Sequence, residues 1–371
     1  MRTTLGLEVE LYTGTPQGRV IGRSAEIAQR LEGFVCEPDA RNTEYVTAPY
    51  RDVVALQRAL LEPRRALRQL LDEHGLTIVP GSTLPLSGDT TRFFRSDPDN
   101  PYHARIEQTY GTRVVTTSIH FNFGIDDPQA LMRACRLLRM EAPVALALTA
   151  SSPFLEGEAT GCHSTRWTTF PRTPEHVPLF SSPHEYVTFV ERELAAATMW
   201  NVRHLWSAVR PNGPDRPYGV DRLEVRICDL TLDIPLTCAV GLLLMERVAA
   251  ALDGLDPLEG GRSAEWLLAV CEANEEAVAR ASLDAEIIDW RDGSRVPARE
   301  MADEWLHELR AASLDYEERA VLRAVERVLD EGNDAMRWLR EHRRGRPIET
   351  VMADAIAEAE AHEVELARRL G

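Results

Sequence analysis

The chain has 371 residues, is 44% hydrophobic, and carries 42 cationic against 59 acidic side chains, a net charge of −17. That length allows one large or two ordinary domains with a sizeable core, and the acidic excess argues against a nucleic-acid or anionic-membrane partner. All 42 cations are Arg; with no Lys, a Gly-Lys-Ser/Thr phosphate loop, a protein-kinase site, a Schiff-base or pyridoxal lysine and a Ser–Lys hydrolase are excluded.

In chain order, β-branched enrichment or period-two alternation predicts strands over residues 5–12, 44–47, 77–79, 114–125 and 222–229. Apolar spacing predicts helices over 24–31, 53–74, 128–149, 183–199 and 236–252. Asp127-Pro128 supplies an N-cap and an N1 proline, and Ser182-Pro183-His184-Glu185 reads as a capping box. Beyond about residue 255 the pattern is helical: 263–281, 297–312, 316–330, 333–343 and 347–370, punctuated by Gly332, Gly345 and Pro347. These acidic, Ala-rich helices read as a solvated outer layer. Residues 80–100 and 151–180 read as long loops. The expected division is a catalytic α+β core over 1–254 and a helical part over 255–371 packed on the same domain.

The six cysteines, Cys36, Cys135, Cys162, Cys228, Cys238 and Cys271, form no Cys-x-x-Cys pair and read as reduced. Met1-Arg2-Thr3-Thr4 runs straight into a strand pattern, with no secretory signal. The longest nearly apolar run, residues 234–245, is shorter than a bilayer requires. The expectation is a soluble cytoplasmic protein without a membrane partner.

What alternates with the apolar residues is informative. In the first strand Leu5, Leu7, Val9 and Leu11 point one way and Gly6, Glu8, Glu10 and Tyr12 the other. In the fourth, Ser118, His120 and Asn122 oppose Ile119, Phe121 and Phe123; in the fifth, Arg222, Glu224, Arg226 and Cys228 oppose Leu223, Val225 and Ile227. Each pair alone fits a wet sheet face or a same-face ion pair. On one sheet they would assemble carboxylates, imidazole, amide and guanidinium, with Glu44 adding another acid. Crowded carboxylates repel one another, and divalent cations relieve them. Mg2+ takes one or two carboxylates plus phosphate and water, which fits a nucleotide site with two or more ions; His120 hints at tolerance of Mn2+. Arg226 is placed to fork onto a transferring phosphoryl group.

Glu8-Val9-Glu10, Glu44-Tyr45-Val46-Thr47-Ala48-Pro49, Ser118-Ile119-His120-Phe121-Asn122, Ala150-Ser151-Ser152-Pro153-Phe154, Val209-Arg210-Pro211-Asn212 and Leu223-Glu224-Val225-Arg226 occur in that order. The ordered set resembles the glutamate–cysteine ligase type 2 family of carboxylate–amine ligases. Pro80-Gly81-Ser82-Thr83-Leu84-Pro85-Leu86 and Thr109-Tyr110-Gly111-Thr112-Arg113-Val114-Val115-Thr116 resemble its cyanobacterial type. The likeness covers about residues 5–250. It implies an α+β fold related to the glutamine synthetase catalytic domain: a curved, mainly antiparallel sheet with helices on its outer face. It implies ATP- and Mg2+-dependent joining of the glutamate γ-carboxylate to the cysteine amine, the first step of glutathione synthesis. By position it implies Glu8, Glu10, Glu44, His120 and Glu224 as metal ligands, Glu224 and Arg226 as catalytic, Arg226 and Asn122 at the nucleotide, and Arg166, Arg210 and Asn212 at the substrate. The motifs define activation of a carboxylate and do not read the amine. A ligase for another amine or acid, a metal-dependent hydrolase and a nucleotide-sensing protein stay open, as does the oligomeric state.

Overall fold

A computed structural model describes residues 3–371. Strand β1 (Leu5–Gly14) lies in the middle of a seven-stranded sheet because its alternation is strict: Leu5, Leu7, Val9 and Leu11 are fully buried on one face. The other sheet strands are β2 (Phe34–Cys36), β3 (Asn42–Val46), β4 (Thr77–Val79), β5 (Ile119–Gly124), and, after a small hairpin of β6 (Phe154–Leu155) and β7 (Glu158–Ala159), β8 (Val209–Asn212) and β9 (Arg222–Val225). The order is β2-β3-β1-β5-β9-β8, every pairing antiparallel. Tyr12 pairs with Asn42 on one side and Val79 on the other, so β4 continues the β1 edge that β5 leaves. A second hairpin, β10 (Glu286–Ile288) with β11 (Arg295–Pro297), stands apart.

The helices are α1 (Ser24–Arg30), α2 (Val53–Asp72), α3 (Pro101–Tyr110), α4 (Pro128–Thr149), α5 (Thr165–Thr169), α6 (Pro183–Ala195), α7 (Ile234–Leu252), α8 (Ala264–Ala281), α9 (Ala298–Ala311), α10 (Tyr316–Glu331), α11 (Asp334–Arg343) and α12 (Ile348–Leu370). Helices α2, α4 and α7 join the apolar face of the sheet in one core. Helix α7 approaches closely at Gly241, where an added Cβ would stand 2.6 Å from Leu5 Cδ2. The expected mixture of helices and antiparallel sheet, with helices on the apolar face, is the one observed.

Several boundaries differ for identifiable reasons. The strand expected over 114–125 begins only at Ile119, and residues 111–114 form a 3-10 turn. There Thr117 Oγ1 donates to the Gly81 carbonyl and the Val115 carbonyl accepts from Tyr12, so local bonds replace the ladder. The strand expected over 222–229 stops at Val225, because Arg166 takes the carbonyls of Arg226 and Ile227. Beyond that point alternation ends, and Cys228, expected with Glu224 and Arg226, joins the apolar core instead. Asp127 caps α4 as expected, accepting from the Gln129 N–H at 3.0 Å. The capping box of α6 is half formed: Ser182 accepts from the Glu185 N–H, but the Glu185 carboxylate takes the Ser181 N–H at 2.7 Å.

The C-terminal helices are more than an outer layer. Helices α8 and α9 pack on α4 and α10 on α7, burying Val270, Val278, Trp305, Leu306, Val321 and Val325. Helices α11 and α12 close a second apolar cluster around Tyr12, Val79 and Phe154. Helix α7 extends the run expected to be too short, and by length and composition it matches a membrane span; most of it is buried among the other helices, as in a core helix.

Candidate active site

The strand register gathers the polar face. Opposed residues of paired strands present their side chains on the same side of the sheet. Glu8 lies opposite His120, Glu10 opposite Glu44, Asn122 opposite Glu224, and Arg210 opposite Glu224. This is no wet sheet face: Glu224 is 0% and His120 4% exposed.

Two carboxylate groups result. In the first, one ligand atom each of Glu8, His120 and Glu224 lie within 4.8 Å of one another; in the second, the same holds for Glu10, Glu37 and Glu44. Ser118 links them, donating from Oγ to Glu10 Oε2 at 2.6 Å and standing 3.0 Å from His120 Nε2. His120 Nδ1 lies 3.0 Å from Glu8 Oε2. Asn122 Nδ2 donates to Glu8 Oε1 at 3.2 Å, while its buried Oδ1 has no partner.

The electrostatics of the groups differ. Burial pushes the Glu44 carboxyl well above the usual range, and the charge and hydrogen bond of Glu37, then Glu10 and Glu8, add to the shift. Burial raises Glu10 as well. Burial and Glu224 act upward on Glu8, but the hydrogen bond and charge of His120, with Arg210, outweigh them and hold it below the usual range. Burial opposes ionisation of Glu224, yet Arg210, Arg226 and His120 together hold it far below the ordinary value. Burial, then the like charge of Arg210, pushes Arg226 down to about 10.

Glu224 is the hub of the cationic side. Its Oε2 accepts from Arg210 Nε and Asn212 Nδ2, both at 2.8 Å, and its Oε1 accepts from Arg210 Nη2 at 3.2 Å. Arg226 Nε stands 3.3 Å and His120 Nδ1 3.5 Å from the same Oε1. Arg210 also donates to the carbonyls of Arg203 and Leu205, and Asn212 Oδ1 accepts from the Gly213 N–H. The contacts of Arg210 and Asn212 are thus with Glu224 and the backbone. Arg166, 1% exposed, donates to the carbonyls of Ile227 and Arg226 at 3.1 and 3.0 Å, and its guanidinium lies over the rings of Trp167 and Phe170. Behind it Asp229 accepts from the Ser152 and Ser164 hydroxyls and the Ser151 N–H.

Sequence reasoning missed Glu37. It follows the three-residue strand β2 in Cys36-Glu37-Pro38, too short a run for alternation to place its side chain. It also missed Arg216, whose loop carries no strand or helix pattern. The hard oxygen donors of the two groups, and the burial and crowding that push the Glu44 and Glu10 carboxyls up, fit divalent cations.

The model of the family described as Glutamate-cysteine ligase family 2 matches residues 4–362. Relatives provisionally named glutamate–cysteine ligase 2 include one from Sorangium cellulosum, 28% identical over 370 residues and 96% of each chain, and one from Gloeobacter violaceus, 27% identical over 364 residues and 95% of each chain. Among solved structures, glutamate–cysteine ligase from Francisella tularensis in complex with AMP superposes with a TM-score of 0.73 at 14% identity, covering 100% of this chain and 92% of that one. The bifunctional glutathione synthetase from Pasteurella multocida gives 0.73 at 15% identity over 98% of this chain; the chain spans 52% of that enzyme's length. The structural likenesses speak to fold alone. The family match, spanning nearly the whole sequence, places this chain in glutamate–cysteine ligase family 2, as an ATP-dependent ligase.

Proposed function

We propose that the chain joins the γ-carboxylate of glutamate to the amino group of cysteine through an acyl phosphate, at the expense of ATP. The observation that carries this reading is the split of one sheet floor into a half-buried carboxylate side, Glu8, Glu10, Glu37 and Glu44, and a buried cationic side around Glu224 and Arg226. A carboxylate is a poor electrophile, because delocalised negative charge shields its carbon. Transfer of the ATP γ-phosphoryl group to its oxygen makes a good leaving group. Such transfer is largely positioning and charge stabilisation.

Glu8, His120 and Glu224, and Glu10, Glu37 and Glu44, would hold two or more Mg2+ ions, with Asn122 Oδ1 a further free acceptor. Bound there, the cations would neutralise phosphate charge. Arg226, with a buried Nη1 lacking a partner, would fork onto the transferring phosphoryl group. Arg210 and Asn212 act by fixing Glu224, and Arg166 by fixing the carbonyls of Arg226 and Ile227. The amine then attacks the acyl carbon, and phosphate leaves.

A second reading keeps the chemistry and changes the amine: every residue of the floor serves carboxylate activation, and none of them reads a thiol. Membership of a ligase family sets aside the hydrolase. The test is mass-spectrometric identification of the product formed from ATP, Mg2+, glutamate and a mixed amino-acid pool. The proposal expects γ-glutamylcysteine; a different glutamyl amide with cysteine left over would replace it by the second reading.

A further inference from the structure

Between β8 and β9 the chain returns through residues 213–221, and this loop carries Arg216 to Glu224. Its Nη1 stands 4.0 Å from Glu224 Oε2, beyond hydrogen-bond range. That oxygen already accepts from Arg210 Nε and Asn212 Nδ2. Arg216 Nη1 is therefore buried without a partner, and so are Arg226 Nη1 and the Tyr186 hydroxyl. Tyr186 projects from α6, 1% exposed, within electrostatic reach of Arg210, Arg216 and Glu224.

Three guanidinium groups, those of Arg210, Arg216 and Arg226, thus share the single carboxylate of Glu224. Buried donors without acceptors are rare in folded proteins. Here three converge on one flank of the site, where positive charge exceeds negative. An anion with several oxygens and more than one charge satisfies all of them, and paired guanidinium forks match phosphate geometry. A single carboxylate brings one negative charge to three guanidinium groups that, among the described residues, have only the Glu224 carboxylate within 4.0 Å, and so leaves positive charge uncompensated.

We propose that Arg216 is a second phosphate-binding arginine, bracketing the triphosphate of ATP together with Arg226. The inference rests on the ATP-dependent reading above and gives the nucleotide a direction. Arg226 lies on the sheet floor toward Glu8 and Glu10, and Arg216 lies on the other side of Glu224, on the loop toward Tyr186 and Arg203. The γ-phosphoryl group therefore faces Arg226 and the carboxylates, and the β-phosphate and nucleoside run outward past the 213–221 loop. The amino-acid substrates are left the side of Glu10, Glu37 and Glu44.

The experiment is calorimetric titration of the full chain with the β,γ-imido analogue of ATP and Mg2+, alongside the KM for glutamate. Arg216→Ala is expected to weaken analogue binding by roughly one to two powers of ten, the scale of a charge-assisted hydrogen bond, and to leave the glutamate KM nearly unchanged. Arg216→Gln, closer in size, gives the same result should the alanine variant melt early. Wild-type-like analogue binding by the folded variant, or a rise confined to the glutamate KM, overturns the assignment while the ligase reading stands. A wild-type chain that binds no nucleotide overturns both.

Discussion

Replacing Glu224 by Gln removes one negative charge and leaves the shape. The carboxylate is 0% exposed, accepts three hydrogen bonds from Arg210 and Asn212, and stands 3.3 Å from Arg226 Nε. The amide offers one acceptor oxygen where there were two, and turns its N–H groups toward cations. Removing one partner of a buried ion pair costs about 3–5 kcal/mol. One kcal/mol shifts melting by about 2–4 °C in chains of 150–250 residues and less in longer ones, so the expected fall is roughly 5–10 °C. Against a typical total of about 5–15 kcal/mol, the variant still folds at 25 °C. Turnover falls further than stability explains, by about two to three powers of ten, because Arg226 loses the carboxylate that orients it. Calorimetric melting and phosphate release with glutamate and cysteine measure the two effects on one preparation. A variant with unchanged melting temperature and full turnover would show that Glu224 is not the hub of the site.

Three further outcomes are expected. Arg226→Ala lowers kcat by about two to three powers of ten, the scale for losing a transition-state charge donor; a change confined to KM would mean uniform binding instead. Glu37→Gln opens the Glu10–Glu37–Glu44 group and raises the Mg2+ concentration for half-maximal activity by about tenfold, so an unaltered Mg2+ dependence would remove Glu37 from the site. On α8, where it accepts from Trp167 Nε1, burial pushes the Glu275 carboxyl up despite Arg139. A raised folded-state pKa gives stability that is full below the unfolded value, about 4.3, and is lost as pH rises through the folded value. Glu275→Gln, never charged, should therefore melt higher than wild type at pH 8 and lose that advantage at pH 4; a lower melting temperature at pH 8 would contradict this.

The parts of the site legible in the sequence were those written in strand alternation. Glu8-x-Glu10 and Ser118-x-His120-x-Asn122 declare a shared face, because side chains two apart project together. Antiparallel register does the rest, setting Glu8 against His120 and Glu10 against Glu44. Helix limits were legible where capping chemistry was local, as at Asp127-Pro128, and Asn100-Pro101 offered the same signal for α3 unread. Illegible were the residues delivered by irregular chain. Glu37 follows a three-residue strand, and Arg216 comes from a loop; neither has a period to betray its direction. Nor did the sequence tell that Arg210 and Asn212 would spend their donors on Glu224. That depends on β8 pairing with β9 in a register that sets Arg210 opposite Glu224.

The most direct measurement of the central claim follows oxygen. Glutamate labelled with 18O in its γ-carboxylate is turned over with ATP, Mg2+ and cysteine, and the released phosphate is weighed by mass spectrometry. If an acyl phosphate forms on this floor, one labelled oxygen leaves with each phosphate, in step with the amide produced. Phosphate released without label, while the amide accumulates, would contradict the account.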